Sequence, residues 1–408
     1  MAEAGGGPVR LRAVLANREF QALFAAQLLS VVGDQLARVA LSVLVYQRTA
    51  SAGWTAVTYG LTYLPDLVSG PLLSGLADRY PRRAVMVATD LARAALVGVM
   101  AVPDLPLWVA AVLLVLVQAL GAPHGAARGA TLAAALTGDR YVLGVAVQDV
   151  VVQSSQVLGF ATGGLVVAGL GVGEGLLLDA GTFLVSAVLV RLGVRARPAA
   201  HLATATSTGA AAWSWWNSLR TGLRLVLGDR RLRALLGLAC VAGCYVVVEG
   251  LAVPYADEIG EGTAAVGLLL AANPAGTVVG TVLVARLDPR LRVRLMGPLA
   301  VAACAVLLLC AARPGLVLTV VLWALSGAAS GYHVVARTLF VRLVPDEHRG
   351  QCLGLAATAL RTAQGGGIVL AGLAATATSA AFVIAAAGGL GVLGALLATS
   401  AWRRANSS

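Results

Sequence analysis

The sequence predicts an all-α integral membrane protein of twelve transmembrane helices in two six-helix pseudo-symmetric halves. Three observations lead there. The 408 residues are 59% hydrophobic and only 12% charged, with a mean hydropathy of +0.84, more apolar surface than a water-soluble chain can cover. Apolar runs long enough to cross a bilayer, about 20 residues each, recur along the whole chain with short breaks. Arginine clusters fall in every second break, the distribution that orients membrane helices.

The first run, 20–47, is too long for the core of a cleaved leader and lacks a convincing cleavage site, so it is read as the first membrane helix. Gly, Pro and Arg punctuation then delimits 53–77, 84–103, 106–127, 143–169 and 173–193. A second set follows at 234–255, 263–286, 294–312, 315–341, 350–375 and 378–402. Between the sets lies the longest polar stretch, which divides the chain into an N-terminal bundle (1–193), a linker (194–233) and a C-terminal bundle (234–408).

The loop charges support this count. Arg10, Arg12 and Arg18 precede the first helix, Arg79, Arg82 and Arg83 follow the second, and Arg128 and Arg140 follow the fourth. Arginine also fills the linker, 286–294, 342–349 and the C-terminal end, whereas the intervening loops are poor in it and 255–262 is acidic. Both termini are therefore expected in the cytoplasm, with the chain crossing the cell (inner or plasma) membrane many times. The linker segment WSWWNSLRTGLRLVLGDRRLR has helix-like spacing of aromatics and Leu, which fits an interfacial helix on anionic lipid or an ordinary positively charged linker.

The formal charge of +11, carried by arginine with no lysine, would in a soluble protein point to nucleic acid. Here its position between apolar runs assigns it to the lipid surface, and no nucleic-acid partner is expected. Cys240, Cys244, Cys304 and Cys310 lie inside apolar runs and Cys352 follows a basic loop, so no disulfide framework is expected. His124, His201, His333 and His348 lack metal-ligand spacing. With no GK[ST] phosphate loop and no strand context for GLGVGEG, neither a metal nor a cofactor is expected.

The most informative loop motif is SGLADRYPRRAVM, Ser74 to Met86, which places Gly75, Asp78, Arg79, Arg82 and Arg83 directly after the second helix. An acid at a helix end followed by arginines in the headgroup zone can latch neighbouring helices in one conformation, or serve simply as positive anchoring. ARLDPRLRVRLM after the eighth helix echoes it, as an internally repeated carrier would.

GLADRYPRR closely resembles the loop signature of the major facilitator superfamily. REFQALFAAQLLSVVGDQLARVALSVLVY, LLLDAGTFLVSAVL, LRTGLRLVLGDRRLRALL and VPDEHRGQCLGL resemble the drug and siderophore exporter branch that includes macrolide and enterobactin exporters. The resemblance implies the major facilitator fold, a central cavity bordered by the first helix, and a peripheral helix-end role for Asp179. Two positions depart from the loop pattern: Ser74 stands where the first Gly is usual, and Pro81 replaces the later Gly. The fourth helix lacks the Arg motif associated with proton coupling in other drug exporters, which leaves the coupling ion open.

Ionisable residues inside hydrocarbon cost several kcal/mol unless they face a cavity or a partner, so each is a functional candidate. Asp34 and Arg38, four apart on one face of the first helix, are expected to pair, with Arg38 holding Asp34 ionised until a cation competes, or as a permanent structural bridge. Asp66 follows Pro65 in the second helix, where a bend can admit water. Asp90 and Arg93, three apart in the third helix, read best as latches to the nearby cytoplasmic loop. Asp149 opens a polar stripe with Gln148, Gln153 and Gln156 that lines a cavity or joins helices. Glu249, near Pro254, is either a buried proton-exchanging carboxyl or a residue of the outer mouth. Arg361 and Gln364 complete the set, Arg361 facing an anionic substrate group or a carboxylate.

These residues and the resemblance together imply a monomeric, non-enzymatic secondary transporter. Its expected activity is proton-coupled efflux of a small amphiphilic molecule by rocking two halves about a midplane cavity. An importer or facilitator, or a receptor or enzyme that reuses the fold, is the alternative.

Overall fold

Burying backbone in lipid leaves no water to satisfy its amides, so each segment must close its hydrogen bonds within itself, and the chain meets this with helices. A computed structural model describes residues 16–63, 65, 69, 73, 76–136, 139–197, 220–345 and 348–407. The first half contains α1 (Arg18–Thr49), α2 (Ala52–Gly60, the start of the second crossing), α3 (Arg82–Met100), α4 (Leu107–Ala135), α5 (Asp139–Gly169) and α6 (Val172–Gly193). The second contains α7 (Arg230–Glu258), α8 (Thr263–Arg286), α9 (Pro289–Ala312), α10 (Leu316–Leu343), α11 (Arg349–Ala375) and α12 (Ala380–Ser407).

Among the described residues, nine helices are long and apolar enough to cross a membrane. α2 is described only in part, and α3 carries Arg82, Arg83, Asp90 and Arg93. α11 is diluted by Gly, Ala, Thr and Gln. Outward faces of α5, α6 and α12 present Leu165, Leu192, Leu390 and Leu397 unburied, the arrangement expected when the solvent around the bundle is itself apolar.

Helix ends are capped where the sequence supplies a short polar side chain. Asn17 Oδ1 accepts from the Glu19 and Phe20 amides at 2.9 and 3.2 Å, and Asp229 accepts from Arg231 N at 2.6 Å. Asp288 accepts from Arg290 N at 2.8 Å, meeting donors a helix start leaves open. Capping explains why α9 begins at Pro289 rather than 294: Asp288 caps it and Pro289 fits the first turn. α4 runs on to Ala135, past the expected 127, because Gly121 and Pro123 fall at a break between two helical segments and do not end the crossing. α7 is likewise segmented, as Arg230–Cys240, Ala242–Tyr245 and Val247–Glu258.

Of the segment joining the halves, the Trp-rich part lies outside the described residues. Residues 220–228 form a short helix that buries Val226 and sets Gly222 against the Gln351 backbone at the start of α11, leaving Leu223 and Leu227 exposed.

The two halves meet at the end of the bundle opposite the chain termini. There Tyr46 of α1 donates to Asp257 Oδ2 of α7 at 2.8 Å. α5 and α8 cross at Gly164 and Gly267, where a Cβ on Gly164 would fall 2.6 Å from Gly267 Cα; only hydrogen side chains admit this approach. Glu258 accepts from the Ala380 and Ala381 amides and so ties α7 to the start of α12 at the same end.

The crossing yields a prediction. Gly164→Ile overpacks it and is expected to cost about 1–3 kcal/mol, whereas Gly169→Ile, five residues on with open space around it, is expected to be nearly neutral. Thermal unfolding of both variants in detergent checks the difference.

Candidate functional site

A polar contact between the halves is built on Glu249. Glu249 lies in the last segment of α7, Val247–Glu258, and its carboxylate meets two tyrosines of the second crossing at i and i+4 spacing, Tyr59 in α2 and Tyr63 in the turn that follows. Tyr59 and Tyr63 both donate their hydroxyls to Glu249 Oε2, at 3.0 and 2.9 Å. Arg38 of α1 lies over both rings, 5.8 Å from each centroid, and Arg361 of α11 lies 5.5 Å from the centroid of Tyr63. These are cation–π distances, and the two guanidinium groups are the positive charges that Glu249 feels. Four helices, two from each half, thus place one carboxylate, two phenols and two arginines together. Gln364 sits one turn along α11 from Arg361 and is half-buried.

A second network lies wholly within the first half and corrects the expected pairing. Asp34 bonds to Arg93 of α3, whose Nη2 donates to both carboxylate oxygens at 2.9 and 3.2 Å; Arg38 has turned to the tyrosines. The i and i+4 positions share a helix face, but a packed neighbour delivers the better donor geometry. Arg93 also stacks on the Phe183 ring of α6 at 4.1 Å.

Asp90 is fully buried, and its Oδ2 accepts from Ser186 Oγ of α6 at 2.7 Å. His124 Nδ1 of α4 stands 3.1 Å from Asp90 Oδ1 and 3.3 Å from Thr89 Oγ1. The Thr89 hydroxyl gives its hydrogen to the Val85 or Met86 carbonyl, so Nδ1 is the donor in this cluster. Asp90 and Arg93 therefore bind α3 to α1, α4 and α6, in place of the loop latch that their position near the helix start predicts.

Sequence reasoning undervalued Asp179. The residue is 1% exposed, not at a peripheral helix end, and packs against Gly33 of α1, where a Cβ would fall on its Oδ1 and on the Thr182 hydroxyl. It shares a narrow crevice with Asp34, Arg38 and Gln118. The available signal was Gly33 beside Asp34: a glycine facing α6 leaves room for one polar side chain.

In the loop motif, Arg82 donates to Ala130 O of α4 at 3.0 Å and Arg83 to Val194 O just past α6 at 3.3 Å, cations placed at carbonyl ends of helices. Arg79 is exposed. Asp66 and Gly75 lie outside the described residues; Asp78 falls in the turn Leu76–Arg79 and Asp149 in α5, with side chains outside the description. Among the described residues no group of His, Cys, Asp or Glu is arranged to hold a metal ion.

A two-half helical bundle of long apolar helices with titratable and cationic groups at its seam is the architecture of a polytopic membrane protein. The sequence profile of the Major Facilitator Superfamily matches residues 23–312 and 250–407, and the chain belongs to that family. An uncharacterized MFS-type transporter, YfiS of Bacillus subtilis (strain 168), is 29% identical over 169 residues, 41% of this chain and 40% of that one. Macrolide efflux protein A of Streptococcus pyogenes is 28% identical over 100 residues, 24% of this chain and 25% of that one. The alignments thus span less than half of either relative.

Solved structures share the fold at low identity. A POT family transporter in complex with 5-aminolevulinic acid superimposes with TM-score 0.74 at 11% identity, covering 95% of this chain and 97% of that one. A bacterial homolog of the human lysosomal transporter Spinster, inward-facing and unoccupied, gives 0.70 at 14% identity, with 95% and 96% covered.

The Asp34–Arg93 bridge is expected to hold the first half together. Arg93→Gln alone should cost about 3–5 kcal/mol by stranding a carboxylate, and Asp34→Asn in the same chain should recover most of the loss. Thermal unfolding of the single and double variants measures both.

Proposed function

We propose that the protein is a proton-coupled exporter of a small amphiphilic compound, working as a monomer in the cell membrane by alternating access, with Glu249 as the coupling carboxylate. The observation that carries this reading is the pair of tyrosine bonds from one half to Glu249 of the other. A bond to an ionised carboxylate contributes about 1.5–3 kcal/mol. The charge state of Glu249 therefore sets how firmly the halves are joined at this seam.

The alternation of arginine along the loops supports a cytoplasmic location for the termini. The end where the halves touch then faces outward, and the arrangement described is open to the cytoplasm. In this cycle, loss of a proton from Glu249 to the cytoplasm restores both tyrosine bonds and shuts the outer end, leaving the cavity ready to load. Substrate entering the seam competes with Glu249 for the tyrosine hydroxyls and loosens the joint. A proton taken from outside then neutralises Glu249 and permits the return. Asp34, fastened to Arg93, has a structural part in this scheme. Export as the direction rests on the likeness to a macrolide efflux protein.

The test uses inside-out vesicles and a panel of fluorescent lipophilic drugs, a macrolide and a siderophore, with and without an imposed proton gradient. Wild-type accumulation is expected to collapse with the gradient. Glu249→Gln is expected to lose gradient-driven accumulation at least tenfold while retaining exchange of labelled for unlabelled substrate. A normal gradient response in Glu249→Gln sinks the assignment.

A further inference from the structure

The arithmetic of charge at the seam leaves a remainder. Ionised, Glu249 brings one negative charge, bonded by Tyr59 and Tyr63, whereas Arg38 and Arg361 bring two positive charges. Among the described residues neither guanidinium makes a hydrogen bond or an ion pair: each is held only against the face of an aromatic ring. Arg38 Nε is buried with no partner, and Arg361 is exposed beside Tyr63. Other buried charges in the first half do meet a protein group, Arg93 at Asp34 and Asp90 at Ser186. Arg38 with its buried unspent donor and the exposed Arg361 both reach Tyr63, from α1 and α11, and an unfilled guanidinium inside the bundle is costly.

We infer that Arg38 and Arg361 form an anion subsite, and that the transported compound is an acidic amphiphile whose carboxylate, sulfonate or phosphate group docks between them. Planar guanidinium groups match the oxygens of such a group and can donate two bonds each. One monoanion brings the seam to neutrality with Glu249 ionised, so the site suits loading in the state described. One arginine belongs to each half, so parting the halves at this end separates the pair. The anion is held while that end is shut and released when it opens. The inference rests on the seam being the transport site, but the subsite can be tested without transport.

The test is calorimetric binding to the full-length protein in lipid nanodiscs, with three probes of one shape: 2-naphthoate, 2-naphthylmethanol and 2-naphthylmethylammonium. Naphthoate is expected to bind at least ten times more tightly than either of the others. Arg361→Gln, an exposed position whose loss spares the fold, is expected to erase that preference, and Arg361→Lys to keep part of it. Glu249→Gln is expected to keep naphthoate binding while losing gradient-driven transport, which separates failure of the subsite from failure of the coupling proposal. Equal or tighter binding of the ammonium probe overturns the inference, as does a naphthoate affinity unchanged in Arg361→Gln or an absence of naphthoate binding at millimolar concentration.

Discussion

Charge is expensive in hydrocarbon, and a carboxylate or guanidinium taken there must find a partner, a cavity or a way to the surface. That constraint organises this bundle more than any apolar contact does, because lipid tails are as apolar as leucine and give helices little reason to prefer one another. Asp34 with Arg93, Asp90 with His124 and Ser186, and Glu249 with Tyr59 and Tyr63 each join helices that apolar packing alone would leave free to slide. Glycine at the crossings, as at Gly164 and Gly267, then brings the backbones close enough for these bonds to form.

The polar groups divide by location. Those inside the first half bond mainly to one another and tie α3 to α1, α4 and α6. The group at the seam is open: its bonds cross from α2 to α7 and its arginines retain donors. A carrier needs this division, since a site that must be assembled and taken apart in each cycle cannot rest on contacts as costly to break as a buried ion pair. The bonds at Glu249 are few and shared between halves, so a change in one charge there is large relative to what joins the halves.

Much of the site was legible as a list of residues. Asp34, Arg38, Glu249 and Arg361 stand out as ionisable groups within apolar runs, and all four lie at or beside a polar cluster. Their partners were not legible. Asp34 and Arg38 share a helix face, yet Arg93, 59 positions away in the chain, takes the carboxylate. Asp179 read as a helix-end residue because nothing local shows that α6 lies against Gly33. Tyr59 and Tyr63 carried no signal, since a tyrosine in a membrane helix becomes informative only once a carboxylate is known to face it.

Hydropathy, arginine alternation and the Asp78–Arg83 loop motif determined the class of protein, the two-half plan and the approximate crossings. These are one-dimensional consequences of lipid thickness and of the cost of moving arginine across a bilayer. The tertiary structure alone decided which charge meets which, because in a bundle the neighbour of a residue is set by helix rotation and crossing, and composition is nearly blind to both. It also decided that two arginines stay unspent at the seam, a property of four helices from two halves that no stretch of sequence contains.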